Sequence, residues 1–343
     1  MTTDLLTRPG ARLRTPEAGL EILDGATRRE FLAGLAAAGL LAACGGDGEG
    51  GNTTPSGAGR GTITVEHAGG TTEVPVAPGR IVTLDGYVDL QTLLVLGVDP
   101  VLAGVRASVA DGLLAGRLGG IGEIADRGVE NLERIAVARP DLIISAEYDV
   151  DRYDDLSAIA PSVLVDRYGA TVDDHLRLIG RVVDRGDEAE AAIAAFAQRL
   201  ADVEGIVAAS PLADLRVVGV DSLFGGGNVR AYGPRSYGGR TLDAVGVEVL
   251  DPGGESDGDD FAFGGDLSPE QLGALEPADL IVLYTSPDAE GFEPVEDQPL
   301  WPTLPAVAAG RVIEVDTDVW YQDTALSRLV RLDDIERIAR ELG

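Results

Sequence analysis

Lysine is absent from this sequence: all 27 basic residues are arginine. Codon bias accounts for that, since alanine, glycine and arginine are abundant. Cysteine occurs once, which excludes an internal disulfide framework and a multi-cysteine metal site. Histidine occurs twice, at His67 and His175, without paired spacing, so direct capture of Zn²⁺ or Mn²⁺ by an imidazole cluster is not expected. Positive charge is scarce, and the formal net charge is -31. No cationic excess exists to release counterions from nucleic acid or to hold an anionic lipid surface, so neither is an expected partner. No G-x-S-x-G elbow marks a serine hydrolase. Acidic pairs are many, but on a surface this acidic they read as solvated faces.

What is present bounds the rest. A length of 343 residues fits two domains of ordinary size, and 45% apolar residues suffice for a large core. The acidity fits a solvated surface, including one that works in salt.

The single cysteine closes the stretch RREFLAGLAAAGLLAACGG, Arg28 to Gly46. The apolar run within it, 31–43, is 13 residues long. A membrane-spanning helix needs about 20 residues, whereas the core of an export signal needs about 7–15. Arg28 and Arg29, followed by Phe31 and Leu32, resemble a twin-arginine signal, and Leu41-Ala42-Ala43-Cys44 resembles a bacterial lipobox. Cys44 is thus expected to become a lipidated N-terminus, with two or more acyl chains giving stable attachment to the outer face of the cytoplasmic membrane. Residues 1–44 form the leader in this reading. Residues 45–61, GGDGEGGNTTPSGAGRG, are a Gly/Ser/Pro tether.

From Thr62 the pattern is that of a folded body. TITVEHAGGTTEVPV alternates apolar and polar residues about Gly69-Gly70 and predicts a hairpin. Residues 80–84 predict a short buried strand ending at Asp85-Gly86-Tyr87, and 89–96 a helix closed by Gly97. ENLERIAVARPDLIIS predicts a helix capped by Asn131, stopped near Pro140, and followed by a strand. The second half repeats the device in LSPEQLGALEPADLIVLY. Ser268 matches Asn131, Glu270 matches Glu133, and Pro277 matches Pro140. Strands alternating with helices imply sheets of parallel type covered by helices. Between the halves, Ile193, Phe196, Leu200, Val203 and Val207 recur at helical spacing, predicting one helix of about 20 residues and some 30 Å. The fold class is therefore α/β: two similar lobes bridged by one long helix. Residues 62–170 form the N-terminal lobe, 171–210 the connecting segment with the spine, and 211–343 the C-terminal lobe.

The segments PGRIVTLDGYVDLQTLLVLGVDPVLAGV, NLERIAVARPDLIIS and LPAVAAGRVIEVDTDVWYQDTALSRLVRLDDIERI resemble the substrate-binding lipoproteins of ABC importers for ferric siderophores, haem and vitamin B12. That resemblance implies a ligand held between the lobes and delivery to an ABC permease, by a monomer with no catalysis and no resident cofactor or metal. It also implies that Glu133 and Glu270 dock onto permease arginines. Each carboxylate would in addition complement its own helix N-terminus, worth about 0.3–1 kcal/mol.

Ligands of open α/β sheets bind beyond the carboxyl ends of the strands. Tyr87, Tyr148, Tyr168, Tyr232, Tyr237, Tyr284 and Tyr321, with Trp320, all fall in predicted loops or just after strands. Their rings suit a bulky amphipathic ligand. Tyr153 falls in a loop as well. Arg106, Arg152, Arg167, Arg230, Arg235 and Arg240 lie near the same loops and supply bidentate contacts for an anionic chelate. Arg167, Arg230 and Arg235 join the expected ligand-binding set, the last two on GGGNVRAYGPRSYGG, read as an irregular loop lining the cleft. The leading expectation is a ferric siderophore. Haem, held by an axial tyrosine, or a cobalamin is the alternative within the same class. A surface-tethered metal-dependent enzyme is the alternative from another class.

Overall fold

The structure is a computed structural model, and it describes residues 61–125, 131–167, 169–225, 228–252, 265–285 and 294–343. Arg28, Arg29, Cys44, Tyr168 and the tether up to residue 60 lie outside the described residues.

The chain opens with an antiparallel hairpin, β1 (Thr62–His67) and β2 (Gly70–Pro75), in which His67 faces Gly70. The two-residue turn is therefore Ala68-Gly69, one position before the expected Gly69-Gly70. Gly70 takes a φ of 126°, open to glycine but hardly to other residues. The N-terminal lobe then alternates strand and helix: β3 (Ile81–Thr83), α1 (Val88–Val95), β4 (Leu102–Val105), α2 (Ala107–Asp111), β5 (Gly122–Ala125), α3 (Leu132–Val137), β6 (Leu142–Ala146), α4 (Tyr153–Ser157) and β7 (Ser162–Val165). The five strands form one wholly parallel sheet in the order β5-β4-β3-β6-β7. Strands β3, β4, β6 and β7 are buried at every position, as parallel strands covered on both faces must be.

Two helices leave this sheet. Helix α5 (Val172–Val182) starts in a capping box between Thr171 and Asp174. Helix α6 (Gly186–Ala208) is the spine, 23 residues and so about 34 Å long. Its Ala189, Val203 and Val207 are buried.

The C-terminal lobe comprises β8 (Arg216–Gly225), β9 (Asn228–Tyr232), α7 (Tyr237–Ala244), β10 (Glu248–Val249), β11 (Gly265–Leu267), β12 (Leu280–Thr285), α8 (Pro305–Ala308), β13 (Val312–Asp316), α9 (Thr317–Trp320) and α10 (Ser327–Leu342). Its sheet runs β11-β9-β8-β12-β13, with β10 beside β8. Pairs β8–β12, β12–β13 and β8–β10 are parallel, while β9 and β11 run antiparallel at one edge. The stretch expected to be an irregular loop is thus a strand followed by a helix. Val229, Ala231 and Tyr232 are buried along β9 while Asn228 is exposed, and Ser236 caps α7 through Gly239. The β-branched and aromatic residues of Val229 to Tyr232 favour a strand.

One apolar cluster contains residues of both lobes: Leu90, Leu94 and Val109 belong to it with Val282, Trp320 and Leu332. Helix α10 packs along the spine, where Arg199 holds Asp333 at 2.6 Å and also pairs with Glu336. The segment leading into α10 returns to the N-terminal lobe, with Thr324 bonded to Gln91 at 2.5 Å and Arg328 to Asp173 at 2.7 Å. The lobes are joined twice, by the spine and by this return. Among the described residues, no helix is long and apolar enough to cross a membrane.

Candidate functional site

Strand β3 ends at Thr83, and the chain turns at Asp85 to enter α1. Asp85 is buried at 2% exposure. Its Oδ1 accepts from the backbone N–H groups of Tyr87 at 3.0 Å and Val88 at 2.6 Å, fixing the helix start. Its Oδ2 accepts from the Tyr148 hydroxyl at 2.6 Å and from Arg167 at 3.0 Å. Tyr148 follows β6 and Arg167 follows β7, so one carboxylate gathers the carboxyl ends of three neighbouring strands. Burial first, then the Asp85 charge, pushes the Tyr148 phenol well above its ordinary range and keeps it a neutral donor. Asp89, one helical turn on, is fully buried with Oδ2 lacking a hydrogen-bond partner. Burial, and next the Asp85 charge, raises its carboxyl far above the usual range.

Tyr87 stands at the centre of this arrangement. The guanidinium groups of Arg106 and Arg167 each lie 5.3 Å from its ring centroid. Its hydroxyl donates to Asp318 of the C-terminal lobe at 3.1 Å. Arg167 reaches the same lobe, donating to Gln322 at 2.8 Å, while its own backbone N–H donates to Glu147. Asp318 and Gln322 bracket Trp320 and Tyr321, so the N-terminal cluster meets the C-terminal aromatics here.

Those aromatics form one group. Tyr232 and Tyr284 stack at 4.5 Å with 11° between planes, Tyr321 meets Tyr232 edge-on at 6.1 Å, and Trp320 meets Tyr284 edge-on at 6.0 Å. Tyr232, Tyr284 and Trp320 are 1%, 3% and 0% exposed, so they floor the site while the half-buried Tyr321 offers surface. The Trp320 indole N–H donates to Asp334 on α10 at 2.9 Å, which makes Trp320 a support beneath the tyrosines. The Tyr232 hydroxyl donates to the buried Asp221 at 3.1 Å, and burial followed by that charge pushes its phenol up. Burial also raises the Tyr284 phenol. Gly238 is required below them, since a Cβ there would run into the Tyr284 hydroxyl and the Trp320 ring.

The expected arginines divide. Arg167 is in the cluster. Arg230 lies along β9 beside Tyr232 and Tyr321, but its Nε donates to Asp266 of β11 at 2.8 Å, so its charge is matched within the protein. Arg235 is exposed, with no ion pair among the described residues. Tyr237 opens α7 beside Gly238, with Arg240 standing 4.9 Å over its ring. Tyr153 belongs elsewhere: it bonds Thr72 at 2.7 Å and packs against His67, fastening the hairpin. His67 accepts from Gly69 and pairs with Thr72, and buried His175 donates to the Asp166 carbonyl at 2.7 Å, so both imidazoles are engaged in local structure. Among the described residues, no group of His, Cys, Asp and Glu is placed to hold a metal ion.

Glu133 and Glu270 are both exposed, in the first turns of α3 and of the 3₁₀ segment Pro269–Leu275. Asn131 caps the first through Arg134, and Ser268 with Gln271 closes a capping box on the second. The local environments match in the two lobes, although the second element is 3₁₀ rather than α.

Sequence reasoning did not single out Asp85, Asp221, Asp318 and Gln322 as site residues. Asp85 was legible only as a strand end. The others are indistinguishable in sequence from the rest of a surface rich in acids.

Comparison with known proteins agrees with this architecture. The family model described as "Periplasmic binding protein" matches residues 81–319. A probable siderophore-binding lipoprotein of Bacillus subtilis, YfiY, is 31% identical over 290 residues, covering 80% of this chain and 87% of that protein. The petrobactin-binding protein YclQ of Bacillus subtilis is 25% identical over 272 residues, covering 76% and 82%. Among solved structures, the siderophore periplasmic binding protein from the fuscachelin gene cluster of Thermobifida fusca aligns with a TM-score of 0.61 and 28% identity, covering 78% of this chain and 98% of that one. Staphylococcus aureus SirA, solved with staphyloferrin B, shares the fold with a TM-score of 0.62 at 23% identity, covering 82% and 98%.

Proposed function

The chain belongs to the periplasmic binding protein family, a family of solute-binding proteins rather than enzymes, and we propose that it is a lipid-anchored receptor for a ferric siderophore. The receptor holds the chelate between its lobes and delivers it to an ABC permease. One observation carries the reading: an aromatic floor of Tyr232, Tyr284 and Tyr321 meets the Tyr87–Arg167–Asp85 cluster across the seam between two sheets. The half-buried Tyr321 ring, backed by the buried tyrosines and flanked by guanidinium groups, suits a bulky amphipathic chelate. The names of the relatives point the same way, since YfiY is called a probable siderophore-binding lipoprotein.

Further parts of the proposal rest on sequence and position. Arg28 and Arg29 direct export, Cys44 carries the lipid, and residues 45–61 hold the body off the outer face of the cytoplasmic membrane. Residues 62–170, 171–210 and 211–343 act as lobe, connecting segment and lobe in a monomer. Glu133 and Glu270, exposed at matched positions, meet the permease.

Haem is the weaker reading. An axial tyrosine binds iron as phenolate, and carboxylate partners disfavour the phenolate of Tyr148 and Tyr232. The test is quenching of intrinsic fluorescence in the detergent-solubilised chain by ferric hydroxamate, catecholate and citrate chelates, haem and cyanocobalamin. Saturable quenching by an iron chelate, weakened at least fivefold by Tyr321→Ala, is the expected result. Saturation by haem or cobalamin alone moves the assignment to those ligands, and saturation by none removes the receptor reading.

A further inference from the structure

The hairpin that opens the body is seated on the N-terminal lobe through one imidazole. Strand β7 ends the row of five strands, so its outer side faces no further strand of that sheet. The Pro161 carbonyl accepts from Ile143 of β6 at 2.9 Å, so Ser162 and Leu164, at alternate positions, turn their backbone groups away from β6. The hairpin meets those groups. The Ala68 N–H donates to the Leu164 carbonyl at 3.1 Å, the Leu164 N–H donates to Nδ1 of His67 at 3.3 Å, and the Thr72 hydroxyl donates to the Ser162 carbonyl at 2.9 Å. A bare edge strand is a template for pairing with another chain, and here a turn and a side chain cover it.

The protonation state of His67 follows from its neighbours. Nδ1 faces two donors, the N–H of Leu164 and the N–H of Gly69 at 3.1 Å, so it carries no proton. The Thr72 hydroxyl directs its own proton to Ser162, so it accepts from Tyr153 at 2.7 Å and from Nε2–H at 2.9 Å. The neutral ring is fully bonded, and a second proton would set an N–H against two other N–H groups. Burial already holds the imidazole below its ordinary 6.5. The titratable group facing the ring is Tyr153, its centroid 5.4 Å away. Glu66 and Glu73 point from the opposite face of the hairpin, where Glu73 accepts from Thr62 and Thr64. Strand β7 carries no ionisable side chain, and on α4 Asp154 and Asp155 are exposed, the second paired with Arg152. The turn is tightly packed, since a Cβ at Gly69 would lie 3.0 Å from both the Leu164 and the Tyr153 side chains.

We propose that His67 is a proton-operated clasp: neutral, it seats the turn of the hairpin on the edge of β7; protonated, it releases residues 67–72 and bares the outward groups of Ser162 and Leu164. Val65 and Val74, fully buried in the apolar core of the lobe, hold the other end of the hairpin, so release is a local lifting of the turn. The open turn binds a proton more tightly than the seated one, and seating therefore weakens as pH falls below about 6.5. With an open-state value of about 6.5 and no proton on the seated ring, opening increases about thirtyfold between pH 7.5 and pH 5. The device needs no ligand at the seam, and it uncovers the sheet edge three residues before Arg167.

The test is hydrogen exchange of the detergent-solubilised full chain between pH 7.5 and pH 5, read by mass spectrometry and corrected for intrinsic exchange. Exchange in 67–72 and 162–165 is expected to increase at least threefold more than in β6, whose Ile143 amide bonds to the inner side of β7. A smaller difference overturns the clasp. His67→Asn keeps an acceptor near the Nδ1 position and does not titrate, so it should remove the pH dependence from both segments. The same increase in His67→Asn assigns the titration to another group and also overturns the clasp. Should that variant fail to fold, nitrogen NMR of the parent chain decides, because two histidines alone contribute imidazole signals. A His67 ring that is the Nε2–H tautomer at pH 7.5, and that titrates at the midpoint of the exchange increase, upholds the clasp. The other tautomer, or a midpoint more than about one pH unit away, overturns it.

Discussion

Asp85→Asn is the substitution with the most to say about the site. The carboxylate accepts two backbone N–H groups, a phenol and a guanidinium while 2% exposed. An amide keeps the shape, and its oxygen can still serve the N–H pair at the start of α1. On the other side, its NH₂ group would face the Tyr148 hydroxyl and the Arg167 guanidinium, both donors. Removing one partner of a buried ion pair costs about 3–5 kcal/mol. Arg167 is 15% exposed and keeps Gln322, so the expected cost falls to the lower bound of that range or just beneath it, about 2–3 kcal/mol. The variant also lifts one of the causes that raise the Asp89 carboxyl, the Asp85 charge.

The assay is urea denaturation of the parent, Asp85→Asn, Arg167→Met and the double variant at pH 7. A coupling energy of about 1.5–2.5 kcal/mol is expected from the cycle, because Arg167→Met removes the charge that Asp85→Asn strands. Ferrichrome titration of the same four proteins should show the greatest loss in Asp85→Asn, since Tyr148 and Arg167 lose their common anchor. A loss below about 0.5 kcal/mol with no coupling would refute the account of Asp85 as the group that organises the three strand ends.

Two further outcomes are expected. Burial raises the Asp316 carboxyl from its ordinary 3.8 to about 6, so the folded chain binds a proton there more tightly than the unfolded chain. Its contribution therefore falls as pH rises from about 4 to 6, and Asp316→Asn should flatten that slope and gain about 1–3 kcal/mol at pH 7; an unchanged melting profile across that window contradicts the assignment. Reversing Glu133 and Glu270 to arginine should leave chelate affinity within twofold and stability within about 0.5 kcal/mol, since both side chains are exposed, while abolishing uptake through the permease in cells. Loss of affinity in that variant, or retained uptake, removes the docking role.

Much of the frame is visible in sequence because it rests on local rules. Asn131 and Ser268 cap their elements, Gly97 closes α1 at a φ of 78°, and the apolar spacing of 193–207 marks the spine. The aromatic group was legible as a set, since Tyr232, Tyr284, Trp320 and Tyr321 all fall near strand ends and do meet. Which of them is floor and which is surface was not legible, because it depends on α10 supplying Asp334 beneath Trp320 from 14 residues away. The Arg230 environment was hidden for the same reason. Its partner Asp266 lies 36 residues on, and only the antiparallel pairing of β9 with β11 brings them together. The loop read at 225–239 failed because its glycines outweighed the strand-forming run Val229 to Tyr232.

The return of the chain through 324–328 changes how the lobes can move. A single helical spine already restricts hinge motion, but a spine alone leaves the facing surfaces free to part. Here Leu90 and Leu94 of α1 share an apolar cluster with Leu326, Val330 and Leu332, and Thr324–Gln91 and Arg328–Asp173 tie the same surfaces. Opening the seam by an amount that wets on the order of 300 Å² of that apolar surface would cost about 7 kcal/mol, before any of the polar ties is broken. Passage through an open form would meet that cost as a barrier, which closure around the chelate would return. Entry of a ligand is therefore expected through rearrangement of side chains at the rim, such as Tyr321 and Arg106, with the two sheets held in nearly fixed relation. That geometry suits the proposed receptor, in which Glu133 and Glu270 would present a constant spacing to a permease.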